Sequence, residues 1–266
     1  MTELQRLVQI VDQLRDPGGC PWDREQTLAS MRPYLLEECY ELLEAMESPE
    51  PGPMREELGD LLFVLLLLSR ICQDQEWFGV EEAAEDIADK MVRRHPHVFS
   101  DENKEENPSG IAAWENRKQK DPSRKRHRLD GVPRSLPGLL RAHRQGEKAS
   151  AVGFDWQTPG AVMAKVEEEW DELQEAISDG SIDHIEHELG DLLMAIASLG
   201  RHLGTPPEAA LRKANDRFAH RFGTMEDLSR IQDTPLQDLT ADELEALWEA
   251  AKKREAQNPS PHDPGA

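Results

Sequence analysis

One pattern of carboxylates occurs twice in this chain and limits what the chain can fold into. Each copy reads Glu-Glu-x-x-Glu and continues, 20 residues after its first glutamate, with Glu-x-x-Asp. The first copy begins at Glu37 and the second at Glu168, which is 131 residues later. Residues three apart share one face of an α-helix, so each half of the pattern points two carboxylates in one direction. The repeat predicts two related helical units with a cluster of carboxylates in each.

Such clusters predict bound cations. The turns between the halves, at residues 48–53 and 178–181, are short, so consecutive helices are expected to pack antiparallel and to bring the halves together. Unit charges about 4 Å apart repel by about 4 kcal/mol at an effective dielectric constant of about 20, so the cluster needs protons or a cation. Oxygen-only ligands favour Mg²⁺, with Mn²⁺ as the alternative. The paired carboxylates are Glu38, Glu41, Glu57 and Asp60 in the first copy and Glu169, Glu172, Glu188 and Asp191 in the second.

Two other interpretations of the pattern are weaker. Di-iron helical bundles use Glu-x-x-His, whereas both copies here have Asp at the fourth position. Solvent-facing glutamates would not need identical offsets in two places. Gly59 and Gly190 lie inside the predicted helices at a cost of about 1 kcal/mol each relative to alanine, which favours close packing at both positions, with simple tolerance of glycine as the alternative.

Composition narrows the class of protein. A length of 266 residues and the internal repeat favour two domains over one. The net charge of -22 argues against a stable nucleic-acid binder or an anionic-membrane binder. Three cysteines do not form a disulfide framework, the N-terminus has no signal-peptide pattern, and the apolar run at residues 61–68 is too short to span a bilayer. We therefore expect a cytoplasmic protein with no membrane association.

Strand signals are nearly absent, and long stretches of helix-forming residues predict an all-α protein made of two tandem helical bundle units. We expect an N-terminal unit at residues 1–130, a C-terminal unit at residues 131–257 and a disordered tail at residues 258–266. The predicted helices of the first unit lie near residues 2–15, 31–47, 54–75 and 80–94.

Capping signals delimit the helices of the second unit. Thr158 and Pro159 begin a helix that turns at residues 178–181 and resumes to about residue 203. Thr205-Pro-Pro-Glu208 and Thr240-Ala-Asp-Glu243 each predict a capping box that opens a further helix.

Cationic and aromatic residues are also repeated. Pairs of cations one helical turn apart can bind a polyphosphate whose other oxygens bind metal, and a tryptophan followed four residues later by lysine can stack on a base and reach a phosphate. These residues are Lys90, Arg94, Trp114 and Lys118 in the first unit and Arg217, Arg221, Trp248 and Lys252 in the second. The basic run at residues 124–128 is interpreted as a solvated linker.

Several motifs, matching in order and spacing, resemble the MazG nucleoside triphosphate pyrophosphohydrolases from about residue 2 to residue 255. They are Gly19-Cys-Pro-Trp22-Asp, Glu37-Glu38-x-x-Glu41, Glu57-Leu-Gly-Asp60, Arg93-Arg-His-Pro-His-Val-Phe99, Pro133-Arg-Ser-Leu-Pro137, Gly153-Phe-Asp-Trp156 and Lys165-Val-Glu-Glu-Glu169. The resemblance implies an all-α NTP pyrophosphatase fold and a homodimer with active sites near the subunit interface. It also implies Mg²⁺-dependent hydrolysis of NTPs or dNTPs to the monophosphate and pyrophosphate, and a role in removing noncanonical nucleotides.

The resemblance also implies roles for individual residues. In the second unit Glu169, Glu172, Glu188 and Asp191 would bind metal, and Lys165, Glu168, Arg217, Arg221, Trp248 and Lys252 would contact the nucleotide. In the first unit Glu38, Glu41, Glu57 and Asp60 would bind metal, with Glu37, Lys90, Arg94, Trp114 and Lys118 around them. Glu168 is the candidate base, and with Lys165 it forms the candidate catalytic pair.

The two units differ in ways that rank them. The first unit has Tyr34 where the second has Lys165, which predicts that the second unit is the main catalytic one. Arg217 stands where the family often has lysine, and His187 stands where a further glutamate is common and where the first unit has Glu56.

Two alternative functions remain open at this point. A non-catalytic helical module that binds nucleotide for regulation would carry similar residues without turnover. An all-α dUTPase uses similar paired carboxylates but has further motifs that this chain lacks.

Overall fold

The computed structural model describes residues 1–99 and 127–257, and the elements within these ranges are α-helices and short 3₁₀ helices with no strand among them. The all-α prediction is confirmed. The described residues fall into two compact units, one on each side of the gap, and each is described by itself. The boundary near residue 130 stays a prediction, and the expected tail at residues 258–266 lies outside the described residues.

The first unit is built around one long helix. Its helices are α1 (Glu3–Arg15), α2 (Pro21–Glu25), α3 (Arg32–Ala45), α4 (Pro51–Asp74), α5 (Val80–Arg94) and α6 (Pro96–Phe99). Helix α4 packs against α1 and α3. The core between them contains Val11, Met31, Val64, Leu67 and Ile71, all of which are buried. This packing holds the carboxylate-bearing parts of α3 and α4 side by side.

Helix α4 begins earlier than predicted. The prolines of residues 48–53 were expected to keep the chain non-helical up to residue 53, but the helix begins at Pro51. The first turn of a helix leaves its N–H groups without an intrahelical acceptor, so Pro51 and Pro53 are tolerated there. The connection between α3 and α4 is correspondingly short.

Ion pairs join α1 to α4 at the end away from the carboxylates. Arg70 contacts Asp12 at 2.9 Å and Asp16 at 3.0 Å, and it also pairs with Asp74 on its own helix. Arg15 reaches Asp74 from α1 at 2.8 Å. Because the Arg15 and Arg70 side chains are largely buried, these pairs fix the position of α1 on α4.

The second unit is a helical hairpin with helices packed around it. Its helices are α7 (Gly138–Ser150), α8 (Pro159–Asp179), α9 (Ile182–His202), α10 (Pro207–Ile231) and α11 (Ala241–Gln257), with short 3₁₀ helices at Arg128–Gly131 and Leu236–Asp238. Helices α8 and α9 form the hairpin, and α7 packs against α9. Met225, Leu228, Leu247 and Ala251 form a separate core between α10 and α11.

Local signals set the boundaries of the hairpin. The Thr158 hydroxyl accepts a hydrogen bond from the Ala161 amide at 3.2 Å and caps α8. Gly180 ends α8 in the left-handed conformation, with φ of 71°, where glycine carries no steric penalty. The Ser181 hydroxyl then accepts from the His184 amide at the start of α9. The predicted start, turn and restart are confirmed.

The two predicted capping boxes have different outcomes. At the start of α11 the Thr240 amide donates to Glu243 at 2.8 Å and the Glu243 amide donates to Thr240, so this box is confirmed. The box at Thr205 is wrong, because α10 begins at Pro207 with Pro206 at the cap position. Glu208 instead accepts a hydrogen bond from the Leu140 amide of α7 at 3.1 Å.

The expectation of close packing at Gly59 and Gly190 is also wrong within the described chain. A Cβ atom added at either glycine would meet no neighbouring atom within 4 Å.

None of the described helices is both long enough and apolar enough to span a bilayer.

Candidate metal centres

The register of the α8–α9 hairpin brings the carboxylates of the second unit together. Glu172 and Glu188 lie eight residues on either side of Gly180, so antiparallel packing places them opposite each other. Ligand oxygens of Glu169, Glu172 and Glu188 lie within 4.8 Å of one another. Glu169 and Glu188 are only 6% and 8% exposed. The predicted convergence of these three carboxylates therefore occurs, with Glu169 and Glu188 largely buried and Glu172 exposed.

Lys165 contacts this cluster from the preceding turn of α8. Its Nζ atom lies 2.7 Å from Glu168 Oε1 and 2.7 Å from Glu169 Oε1. The hydrogen bond to Glu168, followed by that to Glu169, raises the pKa of Lys165 above its ordinary value, so the ammonium group is charged at neutral pH. The cluster thus has one fixed cation at its edge.

That cation does not neutralise the cluster. Desolvation, followed by the charge of Glu169, raises the pKa of Glu172, although Lys165 acts in the opposite direction. Three carboxylates against one ammonium group leave an excess of negative charge. A divalent cation would remove this excess without protonating a ligand.

Asp191 belongs to a second cluster that shares Glu188. One ligand atom each from His187, Glu188 and Asp191 lies within 4.8 Å of the other two. His187 Nδ1 is 3.3 Å from Glu188 Oε1 and 3.3 Å from Asp191 Oδ2, and His184 Nε2 is 3.2 Å from Glu188 Oε1. The four predicted ligands of the second unit are therefore divided between two clusters that Glu188 joins.

Within the described residues, the first unit has one such cluster, formed by Glu38, Glu57 and Asp60. Desolvation raises the pKa of Glu38, and the charges of Glu41 and Asp60 add to the effect. The pKa of Glu57 is raised in the same way, by desolvation, then by Glu41 and Asp60. Glu41 therefore contributes to the negative potential, although it lies outside the tight group.

One oxygen atom provides a test of whether these residues fit a cation. Glu38 Oε2 is buried and has no hydrogen-bond donor within the described ranges. A buried carboxylate oxygen without a donor is costly, and the carboxylates around it raise that cost. A cation among oxygen ligands would satisfy it, and an oxygen-only set suits Mg²⁺ or Mn²⁺. The residues present therefore fit a divalent metal ion.

The two centres differ in the residue that precedes the carboxylates. Tyr34 occupies the position in the first unit that Lys165 occupies in the second. Its ring contacts Trp22 edge-to-face, with centroids 5.7 Å apart. The first cluster has no cation in this position.

The predicted phosphate-binding and base-binding residues of the second unit form a group on α10 and α11. Arg221 Nε lies 2.6 Å from Glu255 Oε2, and its guanidinium carbon lies 5.8 Å from the centre of the Trp248 ring. Phe218 also packs on Trp248, with centroids 5.4 Å apart. Arg221 and Trp248 are therefore held in place by each other and by Glu255.

The remaining predicted cations are arranged differently. Lys252 donates to Glu249 at 2.5 Å, whereas Arg217 is exposed on α10 and pairs with no carboxylate of the described chain. In the first unit Lys90 and Arg94 lie one turn apart on α5. The other two predicted residues there, Trp114 and Lys118, lie outside the described residues.

A cavity of about 550 Å³ beside α9 was not predicted from the sequence. Phe154, Asp155 and Trp156 line one side of it. Asp155 pairs with Arg201 through two contacts of 2.8 and 2.5 Å, and this hydrogen bonding lowers the pKa of Asp155. An aspartate between two aromatic residues was a signal in the sequence, but its partner lies 46 residues away.

Similarity to known proteins agrees with this geometry. The MazG nucleotide pyrophosphohydrolase domain matches residues 26–99 and 157–222, which contain both carboxylate patterns. The chain is 40% identical over 260 residues to the nucleoside triphosphate pyrophosphohydrolase of Escherichia coli K12, spanning 96% of this chain and 99% of that protein. It is 41% identical over 250 residues to the nucleoside triphosphate pyrophosphohydrolase/pyrophosphatase MazG of Thermotoga maritima, spanning 93% and 95%. Over 255 residues it is 37% identical to the uncharacterized protein YabN of Bacillus subtilis, spanning 95% of this chain and 52% of that one. The chain therefore belongs to the MazG nucleotide pyrophosphohydrolase family.

Proposed function

We propose that this protein is a Mg²⁺-dependent nucleoside triphosphate pyrophosphohydrolase that converts NTPs and dNTPs to the monophosphate and pyrophosphate. The observation that carries the proposal is the group of Glu169, Glu172 and Glu188, two of which are largely buried, with its excess of negative charge and with Lys165 at its edge. The names of the relatives from E. coli and T. maritima agree with this activity.

The proposed reaction is in-line attack of water on the α-phosphorus, with pyrophosphate as the leaving group. The bound ion would neutralise phosphate oxygens and lower the pKa of water. Glu168 is suited to orient that water or to take its proton, because it is half exposed and held at 2.7 Å by Lys165. Lys165 would also offset charge on the phosphates.

The nucleotide would be held by the group on α10 and α11. We assign phosphate contacts to Arg217, Arg221 and Lys252 and base stacking to Trp248. The contacts of Arg221 with Glu255 and Trp248 support this assignment, since a guanidinium group already held in place loses less conformational entropy when a phosphate binds.

We assign the main activity to the second unit. The first unit keeps the carboxylates Glu38, Glu41, Glu57 and Asp60, with Glu37 beside them, but Tyr34 offers no charge where Lys165 stands. A cluster without this cation would still bind a metal ion, but it would neutralise the charge of a bound triphosphate less completely. The first unit is therefore proposed to be the weaker or structural one.

A homodimer would cover an apolar stripe on the hairpin. On α8, Met163, Trp170 and Ile177 follow one another at intervals of seven residues and are exposed, with Ile177 at 57%. Leu189, Leu193 and Ile196 form a matching exposed set on α9. Such extended exposed apolar surface is typical of a subunit interface, and its place beside the carboxylates supports an active site near that interface.

We place the protein in the cytoplasm. Cys20, Cys39 and Cys72 are all free thiols, which suits a reducing compartment. The net charge of -22 also disfavours stable binding to nucleic acid or to an anionic membrane.

Pyrophosphate release from a panel of NTPs and dNTPs tests the function. The full-length protein with Mg²⁺ is expected to release pyrophosphate from several dNTPs, and Glu172→Ala or Asp191→Ala is expected to abolish the release while the helical circular dichroism spectrum is kept. Binding of nucleotide without release would support the regulatory module instead. Strong selectivity for dUTP would support the dUTPase, and normal turnover in both variants would refute the ligand assignment.

A further inference from the structure

Glu255 is a buried carboxylate in a place that disfavours one. It is 8% exposed, and it lies in the last turn of α11, where the helix dipole opposes a negative charge. The contact that offsets these costs is with α10, because Arg221 Nε lies 2.6 Å from Glu255 Oε2. Within the described residues, Arg221 is the one cation that pairs with this carboxylate. The burial of Glu255 therefore depends on the position of Arg221.

The contact uses only one part of the Arg221 guanidinium group. Its Nε atom donates to Glu255, and the two terminal amino groups donate to no residue that the structure describes. A guanidinium group is planar and its N–H donors have fixed directions, so holding Nε also sets the directions of the other donors. The terminal amino groups, which suit bidentate contact with a phosphate, are left available and oriented.

Aromatic rings fix the plane of the same group. The guanidinium carbon of Arg221 lies 5.8 Å from the centre of the Trp248 ring, and Phe218 packs on that ring with centroids 5.4 Å apart. Trp248 and Glu255 are seven residues apart on α11, so they lie on one face of the helix. One helix face thus supplies both contacts to the arginine.

The repeat in the sequence extends to this carboxylate. Asp121 follows Trp114 by seven residues, as Glu255 follows Trp248. Asp121 lies outside the described residues, so the comparison is one of sequence alone. An acidic residue at this spacing accompanies the tryptophan in both units.

We infer that Glu255 is a positioning residue for the nucleotide: by accepting the Nε hydrogen of Arg221, it directs the terminal amino groups of that arginine toward the phosphates. The inference rests on the phosphate contact proposed for Arg221 and adds to it a residue that does not touch the substrate. The charge of Glu255 by itself opposes the binding of a triphosphate, so the orientation of Arg221 must outweigh that repulsion.

The affinity of the full-length protein for an α,β-methylene dNTP in Mg²⁺ measures this role without turnover, and steady-state hydrolysis of dNTPs gives KM and kcat. Glu255→Met removes the acceptor while keeping a side chain of similar length. It is expected to raise Kd and KM by roughly five- to tenfold, which is the cost of ordering one arginine side chain on binding. The change in kcat should stay within about twofold, because the contact is the same before and during the reaction.

A double-mutant cycle distinguishes positioning from a purely structural role. Arg221→Gln keeps an amide that can donate to Glu255, and it is expected to raise Kd by itself. In the Arg221→Gln protein, Glu255→Met should not raise Kd further, because the arginine through which Glu255 acts is absent. An equal increase in both backgrounds would show that Glu255 acts on the fold and would overturn the inference.

The matched control is Glu226→Met, which makes the same change at an exposed position of α10 and should leave Kd unchanged. Circular dichroism and urea unfolding establish that each variant is folded. If Glu255→Met does not fold, Glu255→Gln takes its place in the cycle, and it should raise Kd by a smaller factor because a neutral acceptor remains.

The outcomes separate this inference from the proposed function. If Arg221→Gln binds the analogue as tightly as the wild-type protein, the phosphate contact of Arg221 is wrong and the inference falls with it. If Arg221→Gln weakens binding while Glu255→Met leaves it unchanged or tightens it, only the role of Glu255 is overturned. The metal centre is tested independently, by pyrophosphate release from Glu172→Ala.

Discussion

Lys165 is the residue that most clearly distinguishes the two carboxylate clusters. Its ammonium group lies 2.7 Å from both Glu168 and Glu169, and these contacts keep it charged at neutral pH. Tyr34 occupies the corresponding position in the first unit and packs against Trp22 without a charge. The difference in activity proposed for the two units is therefore attributed to one side chain.

Replacing this lysine is expected to reduce turnover far more than replacing its counterpart. Lys165→Met should lower kcat/KM for dNTP hydrolysis by roughly a hundredfold, because a preorganised charge near the phosphates is removed. Tyr34→Met is the matched control and should leave kcat/KM nearly unchanged. The measurement is steady-state pyrophosphate release, and an equal loss in both variants would contradict the ranking of the units.

Residue-level predictions succeeded where the pattern was local. The i, i+3 spacing of Glu169 and Glu172 was sufficient to predict a shared face, since one helical turn determines it. The contacts of His184 and His187 could have been found in the same way, from their i+4 spacing to Glu188 and Asp191. The pairing of distant residues across the cavity beside α9 could not, because tertiary packing alone determines it.

At the scale of the helix, capping residues predicted the hairpin well and prolines caused the errors. Thr158 and Gly180 mark the ends of α8 through short-range hydrogen bonds and backbone conformation. Consecutive or alternating prolines are ambiguous, because they can end a segment or occupy the first turn of the next helix. Pro51 and Pro207 both begin helices, and at each place the predicted start was displaced.

Gly190 offers a test of whether anything packs against α9 at that point. Since an added Cβ meets open space, Gly190→Ala should raise the free energy of unfolding by about 1 kcal/mol through helix propensity alone. Gly59→Ala is the corresponding change in α4 and should act in the same direction. Urea denaturation followed by circular dichroism measures both changes. Destabilisation by Gly190→Ala would indicate instead that a second chain approaches this backbone.

At the scale of the whole molecule, the formal net charge of -22 counts every carboxyl group as ionised, but three of these groups ionise less readily than usual. The pKa values of Glu38, Glu57 and Glu172 are raised above the ordinary value of 4.5 in the folded protein. A folded state that binds protons more tightly than the unfolded state gains stability as the pH falls. Taken by themselves, these three groups make the metal-free protein less stable at neutral pH than in mild acid, while the carboxyl groups whose pKa values are lowered act in the opposite direction.

Thermal unfolding in EDTA and in Mg²⁺ tests this dependence. In EDTA, Glu172→Gln should have a higher Tm than the wild-type protein at neutral pH, and the difference should shrink as the pH falls toward the ordinary carboxyl pKa, where Glu172 of the wild-type protein is protonated as well. Mg²⁺ should raise the Tm most at neutral pH, with about 2.7 kcal/mol of stabilisation at a hundredfold excess over Kd. Glu172→Gln should respond less to Mg²⁺, and an unchanged response in that variant would argue against a cation at this position.

Assembly is a further property of the whole molecule. Ile177→Asp places a charge in the exposed apolar stripe of α8 and should convert a dimer to a monomer in sedimentation velocity, because burying an unpaired charge in an interface is costly. Ile231→Asp is the control, since Ile231 is 73% exposed at the end of α10, outside that stripe. A dimer that tolerates Ile177→Asp would place the interface elsewhere.

The tight turn at Gly180 gives the hairpin a mechanical property. The turn connects α8 and α9 at one end, and Glu172 and Glu188 face each other about two helical turns away from it. The proposed divalent ion would link α8 and α9 through these glutamates, so the hairpin should open less often when the ion is bound. The rate of proteolytic cleavage at the turn should therefore fall as the Mg²⁺ concentration rises.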